Sequence, residues 1–114
     1  MTTLQQARAL ALALPEASEQ DHHGMASFRI RGRIFATVPD DAHLRIMVDD
    51  RAIHWAVTDH PSACQEFYWG KRLACVVVDL ARATPELVDE LLVEAWARKA
   101  PQKLARSLDR LAGC

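Results

Sequence analysis

The chain is poor in the residues from which catalytic loops and cofactor cradles are built. It has four glycines in 114 residues, and none stands in a phosphate-binding glycine loop or a nucleophile elbow. No HExxH pair occurs, so that zinc-hydrolase arrangement is excluded. The cysteines are three, Cys64, Cys75 and Cys114, without CxxC spacing. An odd, scattered set argues against a disulfide framework and against a zinc knuckle. Cys75 stands in an apolar run and is expected to behave as a small core hydrophobe, and Cys114 is expected at the surface. No apolar run approaches the roughly 20 residues of a membrane-crossing helix. No positive charge precedes the Ala/Leu stretch near Met1, and that stretch carries Arg8. A secretory leader is therefore not expected, and a cytoplasmic location is. A surplus of charge is missing too. The net charge is −1, which gives the whole molecule no long-range pull toward nucleic acid.

What is present is ordinary globular material. Half of the residues are apolar and a quarter are charged, which suits one domain over 1–114 with a core of its own. The cations are unevenly spread. Residues 28–48 hold four arginines against Asp40 and Asp41, and residues 82–114 hold six basic side chains against five acidic ones. The rest of the chain is acidic, so the asymmetry is mild.

The periodicity predicts a first helix over 3–14. Thr3 and Gln6 fit a capping box, and Ala7, Leu10, Ala11 and Leu14 make one stripe. Pro15 ends it. Residues 16–24 read as a polar loop, with a short extra strand near Met25. Residues 27–38 read as a hairpin about Gly32. A three-residue loop, Arg31-Gly32-Arg33, sorts Phe28, Ile30, Ile34, Ala36 and Val38 onto one face and Arg29, Phe35 and Thr37 onto the other. A third strand follows over 44–48, with Arg45 and Met47 outward. Asp49 or Asp50 then caps a helix that Pro61 stops. Residues 62–72 read as irregular and hold the aromatic cluster Phe67-Tyr68-Trp69. Residues 73–80 read as a central strand. Thr84-Pro85 opens a long helix burying Leu87, Val88, Leu91, Leu92, Ala95 and Trp96. Pro101 breaks it, and a last helix buries Leu104, Leu108 and Leu111. The order is α-β-β-β-α-β-α-α. It implies an α+β domain, a mainly antiparallel sheet of four to five strands with helices packed on one face.

Three segments carry a likeness: 9–16 (ALALALPE), 28–36 (FRIRGRIFA) and 91–101 (LLVEAWARKAP), with the helix ending at His60-Pro61 between them. In this order and spacing the chain resembles the MmcQ/YjbR family of small bacterial proteins over nearly its whole length. The resemblance implies a compact α+β fold like that of bacterial frataxin, the CyaY-like arrangement, and the description of a DNA-binding protein. It also implies a tryptophan at the start of the strand after the irregular segment. Leu73 or Ala74 stands there, and Trp69 lies a few residues earlier.

Two surfaces emerge as candidates. Arg29, Arg31, Arg33 and Arg45, with Lys71 and Arg72, are the candidate nucleic-acid contacts. On an open sheet face and its hairpin tip, arginines neutralise phosphates, and an outward Phe35 or Trp69 stacks on unpaired bases. Alternating arginines also serve merely to keep an open face soluble and to discourage edge pairing. The second surface is an aromatic cleft of Phe67, Tyr68 and Trp69, with Phe35, that would take a protein or a small molecule. A further stripe, Lys99, Lys103, Arg106 and Arg110, has the spacing of one helical face. It reads equally as a phosphate-facing edge or as the solvated side of an amphipathic helix.

Metal and catalytic chemistry are not expected. Adjacent His22 and His23 on an extended chain point to opposite sides. Pro61 prevents a helical pairing of His60 with Cys64, and zinc needs three or four converging ligands. Asp40-Asp41 and Asp49-Asp50 sit at a turn and at a helix cap, where structure explains them. The sequence therefore reads as a non-catalytic binding protein without cofactor or membrane. Its expected partner is DNA at the arginine-bearing face, or alternatively a protein or small molecule at the aromatic cleft.

Overall fold

The structure, a computed structural model, describes the backbone of residues 1–112 and the side chains of residues 1–107. The side chains of Leu108, Arg110 and Leu111, and all of Cys114, lie outside the described residues.

Helix α1 (Leu4–Leu12) starts at the capping box read from the sequence. The Gln6 N–H donates to the Thr3 hydroxyl at 3.0 Å, and the Thr3 N–H donates to the Gln6 side chain at 2.8 Å. Six strands follow in one sheet: β1 (Ala17–His22), β2 (Met25–Ile30), β3 (Arg33–Asp40), β4 (His43–Ile46), β5 (Cys64–Trp69) and β6 (Arg72–Asp79). Their spatial order is β1-β2-β3-β4-β6-β5, antiparallel throughout. Helix α2 (Asp50–Asp59) connects β4 to the edge strand β5. Its cap is Asp49, whose carboxylate accepts from the Ala52 N–H at 2.8 Å. After a short 3-10 turn, α3 (Pro85–Lys99) starts at Thr84-Pro85, and α4 (Gln102–Ala112) follows Pro101.

The helices share one face of the sheet. α3 packs on β3 and β4, α2 on β5 and β6, and α1 against α3 and β1. They close a single core around Phe28, Ile30, Leu44, Ile46, Val76, Val78 and the α3 residues Leu91, Leu92 and Trp96. Trp96 is fully buried, and its indole N–H donates to the Pro15 carbonyl at 3.0 Å. A buried indole has one donor to satisfy, and satisfying it here fastens α3 to the end of α1. Among the described residues no helix is long and apolar enough to cross a membrane.

Three expectations change. The sheet has six strands, because both 17–22 and 64–69, read as loop, are edge strands. The hairpin loop is two residues long: Ile30 pairs with Arg33 across Arg31-Gly32. Arg31 at φ 50° and Gly32 at φ 81° are both left-handed. That is the mirror-image turn whose twist matches the flanking strands. The pairing then shifts by one residue at Phe28/Arg29, so that Phe28 faces Ala36 while Arg29 faces Ile34. The extra residue is Phe35. A bulge re-aims its side chain, and Phe35 lies wholly buried near Phe28, ring centroids 6.5 Å apart.

Candidate binding face

The face opposite the helices can be read from strand register, since residues directly opposite in antiparallel strands share a side. One row crosses all six strands: Gln20, Ser27, Thr37, Arg45, Val77 and Gln65. Beside it, Phe67 faces Cys75 and Met25 faces His22. Among the described residues no helix packs on this side, yet Ser27, Thr37 and Cys75 are buried. Larger neighbours stand over them. The Arg29 Nε–H donates to the Ser27 hydroxyl at 3.1 Å, and that hydroxyl donates to the Gln20 carbonyl at 2.8 Å. The Arg45 guanidinium sits 4.5 Å from the centroid of the Phe67 ring. At that distance the positive charge is held by the negative face of the ring.

Between these groups lies a hollow of about 430 Å³. Thr37, Arg45 and Cys75 line its middle, His22, His23 and Met25 one side, and Phe67, Trp69 and Arg72 the other. Trp69 is 71% exposed beside it. Burial pushes the Cys75 thiol up to about 11, against the opposing pull of the Arg45 charge. A thiol so placed is an inert wall and not a nucleophile. Among the described residues no three or more His, Cys, Asp or Glu side chains gather as a metal site.

The candidate cations separate into two groups. Arg29, Arg45 and Arg72 belong to the open face. Arg31, at the hairpin tip, is held by Glu16 through two hydrogen bonds of 3.0 and 3.1 Å. That bond, with the Arg31 charge, holds the Glu16 carboxyl below its ordinary range. Arg33 shares the helix side with its partner Ile30 and donates to the Lys99 carbonyl at 3.3 Å. Lys71 lies exposed in the β5–β6 turn.

The aromatic candidates separate as well. Phe67 and Trp69 line the hollow, whereas Tyr68 bonds to Glu66 away from it. Phe35 is core and cannot reach a ligand on this face. The stripe is not continuous, because Lys99 ends α3 while Lys103 and Arg106 belong to α4 beyond Pro101. Sequence reasoning turned Thr37 and Met47 outward, and both line the hollow; it missed Met25 and the two histidines as parts of the face. Finding β1, which delivers His22, was the condition for seeing them together.

A model of the YjbR family matches residues 12–98. The chain belongs to the YjbR family. The matched span runs from the end of α1 to the end of α3 and so takes in all six strands and the open-face residues named above. A solved relative in fold is the Deinococcus radiodurans protein DR2400, whose domain is DUF419. It aligns with a TM-score of 0.72 at 22% identity, over 86% of this chain and 78% of that one. At that identity the likeness speaks for the fold. No curated protein matches the chain.

Proposed function

We propose that this YjbR-family chain is a non-catalytic binding domain that holds an unpaired DNA strand on the open face of its sheet. The observation that carries the reading is Arg45 stacked on Phe67 beside the exposed Trp69. Single-stranded nucleic acid is bound by aromatic rings that stack on bases and by cations that follow the backbone, and an open sheet offers both. Arg29, Arg45 and Arg72 supply the cations. Arg31 and Arg33 are engaged elsewhere, which leaves no long cationic track of the kind duplex DNA favours.

Fluorescence anisotropy with labelled single- and double-stranded DNA, at low and near-physiological salt, tests this. The expected result is salt-sensitive binding of the single strand, lost in Arg29→Ala/Arg45→Ala/Arg72→Ala. Absence of binding at low salt would overturn it.

A second reading, an adaptor for a protein or a small molecule, is favoured by the hollow itself. Its volume of about 430 Å³ lies within the range of small-molecule sites. A ligand held there would keep its affinity as salt rises.

A further inference from the structure

Another cavity, of about 420 Å³, opens where the C-terminus of α3 meets the sheet end at which the β5–β6 turn lies. Arg72, Arg98 and Lys99 line it, with Asp50 as the carboxylate among its lining residues. Arg98 donates to the Met47 carbonyl at 3.4 Å, which anchors its guanidinium at the mouth. Arg33 backs Lys99 by its bond to the Lys99 carbonyl. Among the described residues none of Arg33, Arg72, Arg98 and Lys99 pairs with a carboxylate. Burial, and then the charges of Arg98, Arg33 and Arg72, hold the Lys99 ammonium below its ordinary range. Four cations gathered against the single carboxylate of Asp50 repel one another, and a multiply charged anion placed among them would relieve that repulsion.

The position of Arg72 links this cavity to the open face. Met47, Arg72 and Ala74 line both the hollow and the basic cavity, so the two are neighbours around one sheet end. A strand whose last base lay in the hollow would carry its terminal phosphate toward the cavity. A terminal phosphate is a monoester of up to two negative charges with three free oxygens. A bridging phosphate carries one charge and two free oxygens, so the cluster distinguishes the two.

We infer that Arg72, Arg98 and Lys99, backed by Arg33, form a phosphomonoester site that receives the phosphorylated end of the bound strand. This rests on the single-strand reading of the open face. The test compares one oligonucleotide phosphorylated at its 5′ end, at its 3′ end or at neither, at fixed ionic strength. Charge-assisted hydrogen bonds to one phosphate strengthen binding by about tenfold or more, and that preference is expected for one of the two ends. Arg98→Gln/Lys99→Gln removes the preference and leaves the affinity of the unphosphorylated strand unchanged. Lys99→Gln alone reduces it, and thermal melts of both variants check their folding. Equal affinity of all three oligonucleotides would overturn the inference while the face reading stands. If none binds, the face reading falls. Inorganic phosphate then decides: a melting temperature raised in the wild type and not in the double variant keeps the anion site, and an unmoved one overturns it.

Discussion

Two neighbouring rows cross the same six strands and are built to opposite specifications. The row toward the helices is Glu19, Phe28, Ala36, Ile46, Val76 and Glu66, and the next row, facing outward, is Gln20, Ser27, Thr37, Arg45, Val77 and Gln65. The four central residues of the inner row are fully buried. On the outer row Ser27 and Thr37 are buried nearly as deeply, but beneath arginines and not beneath helices. The inner row is sealed by apolar area that has nowhere else to go. The outer row is covered by long side chains, with Arg29 bonded to Ser27 and Arg45 held over Phe67. Stability is expected to depend on the first face more than on the second.

Breaking the inner face should have the largest effect. Trp96→Ala removes a fully buried indole and strands the Pro15 carbonyl. A loss of about 3–5 kcal/mol is expected, read by denaturant unfolding. On the outer face the pattern inverts. Trp69→Ala should change stability by less than about 0.5 kcal/mol. It should weaken single-strand binding by about 1–3 kcal/mol, read by anisotropy.

A finer probe uses the two buried thiols, both pushed up to about 11 by burial. Cys64 belongs to the helix-side core and Cys75 lies on the open face. In a Cys114→Ser background, Arg45→Ala should speed labelling of Cys75 by roughly tenfold, as local opening becomes easier. Cys64 should stay slow. Equal acceleration of both would show that the two faces are not independent.

The smallest effect belongs to the hairpin tip. The folded carboxyl of Glu16 is held low by Arg31, so the pair contributes above the ordinary carboxylate range and loses its contribution as pH falls through the lowered value. Arg31→Ala should return Glu16 to its ordinary titration, seen by NMR. The melting temperature at neutral pH should scarcely move, because exposed pairs contribute little.

Much of the frame was legible in the residues. The Thr3, Asp49 and Thr84 caps marked helix starts because a capping side chain must stand at a fixed offset from the N–H it satisfies. β6 was legible because Ala74 to Val78 is continuously apolar. The two edge strands were not. β1 has Ser18, Glu19, Gln20 and Asp21 in succession. Its helix-side position is filled by Glu19, bonded to Arg8 of α1 at 2.8 Å, so no apolar alternation reveals it. β5 hides behind three consecutive aromatics, with a register shift between Phe67 and Tyr68. Both strands adjoin two-residue turns containing Gly24 and Gly70, and those glycines were the available signal. Bulges leave no such mark. The place of Phe35 depended on one unpaired residue in β3, which alternation alone cannot supply. The basic cavity was illegible for another reason: Arg72 and Lys99 are far apart in the chain, and only the docking of α3 against the sheet brings them together.

The graded burial of the tryptophans gives the protein two built-in optical gauges. Trp96 is fully buried, Trp55 is 37% exposed among the helices and Trp69 is 71% exposed on the open face. An indole sheltered from water emits at shorter wavelength and resists soluble quenchers, and an exposed one does the reverse. A red shift of the blue component therefore reports the core coming apart, and loss of the iodide-quenchable component reports Trp69 being covered. Replacing Trp55 by Phe leaves those two signals alone in the spectrum, so unfolding and occupancy of the face can be followed in one cuvette without a label.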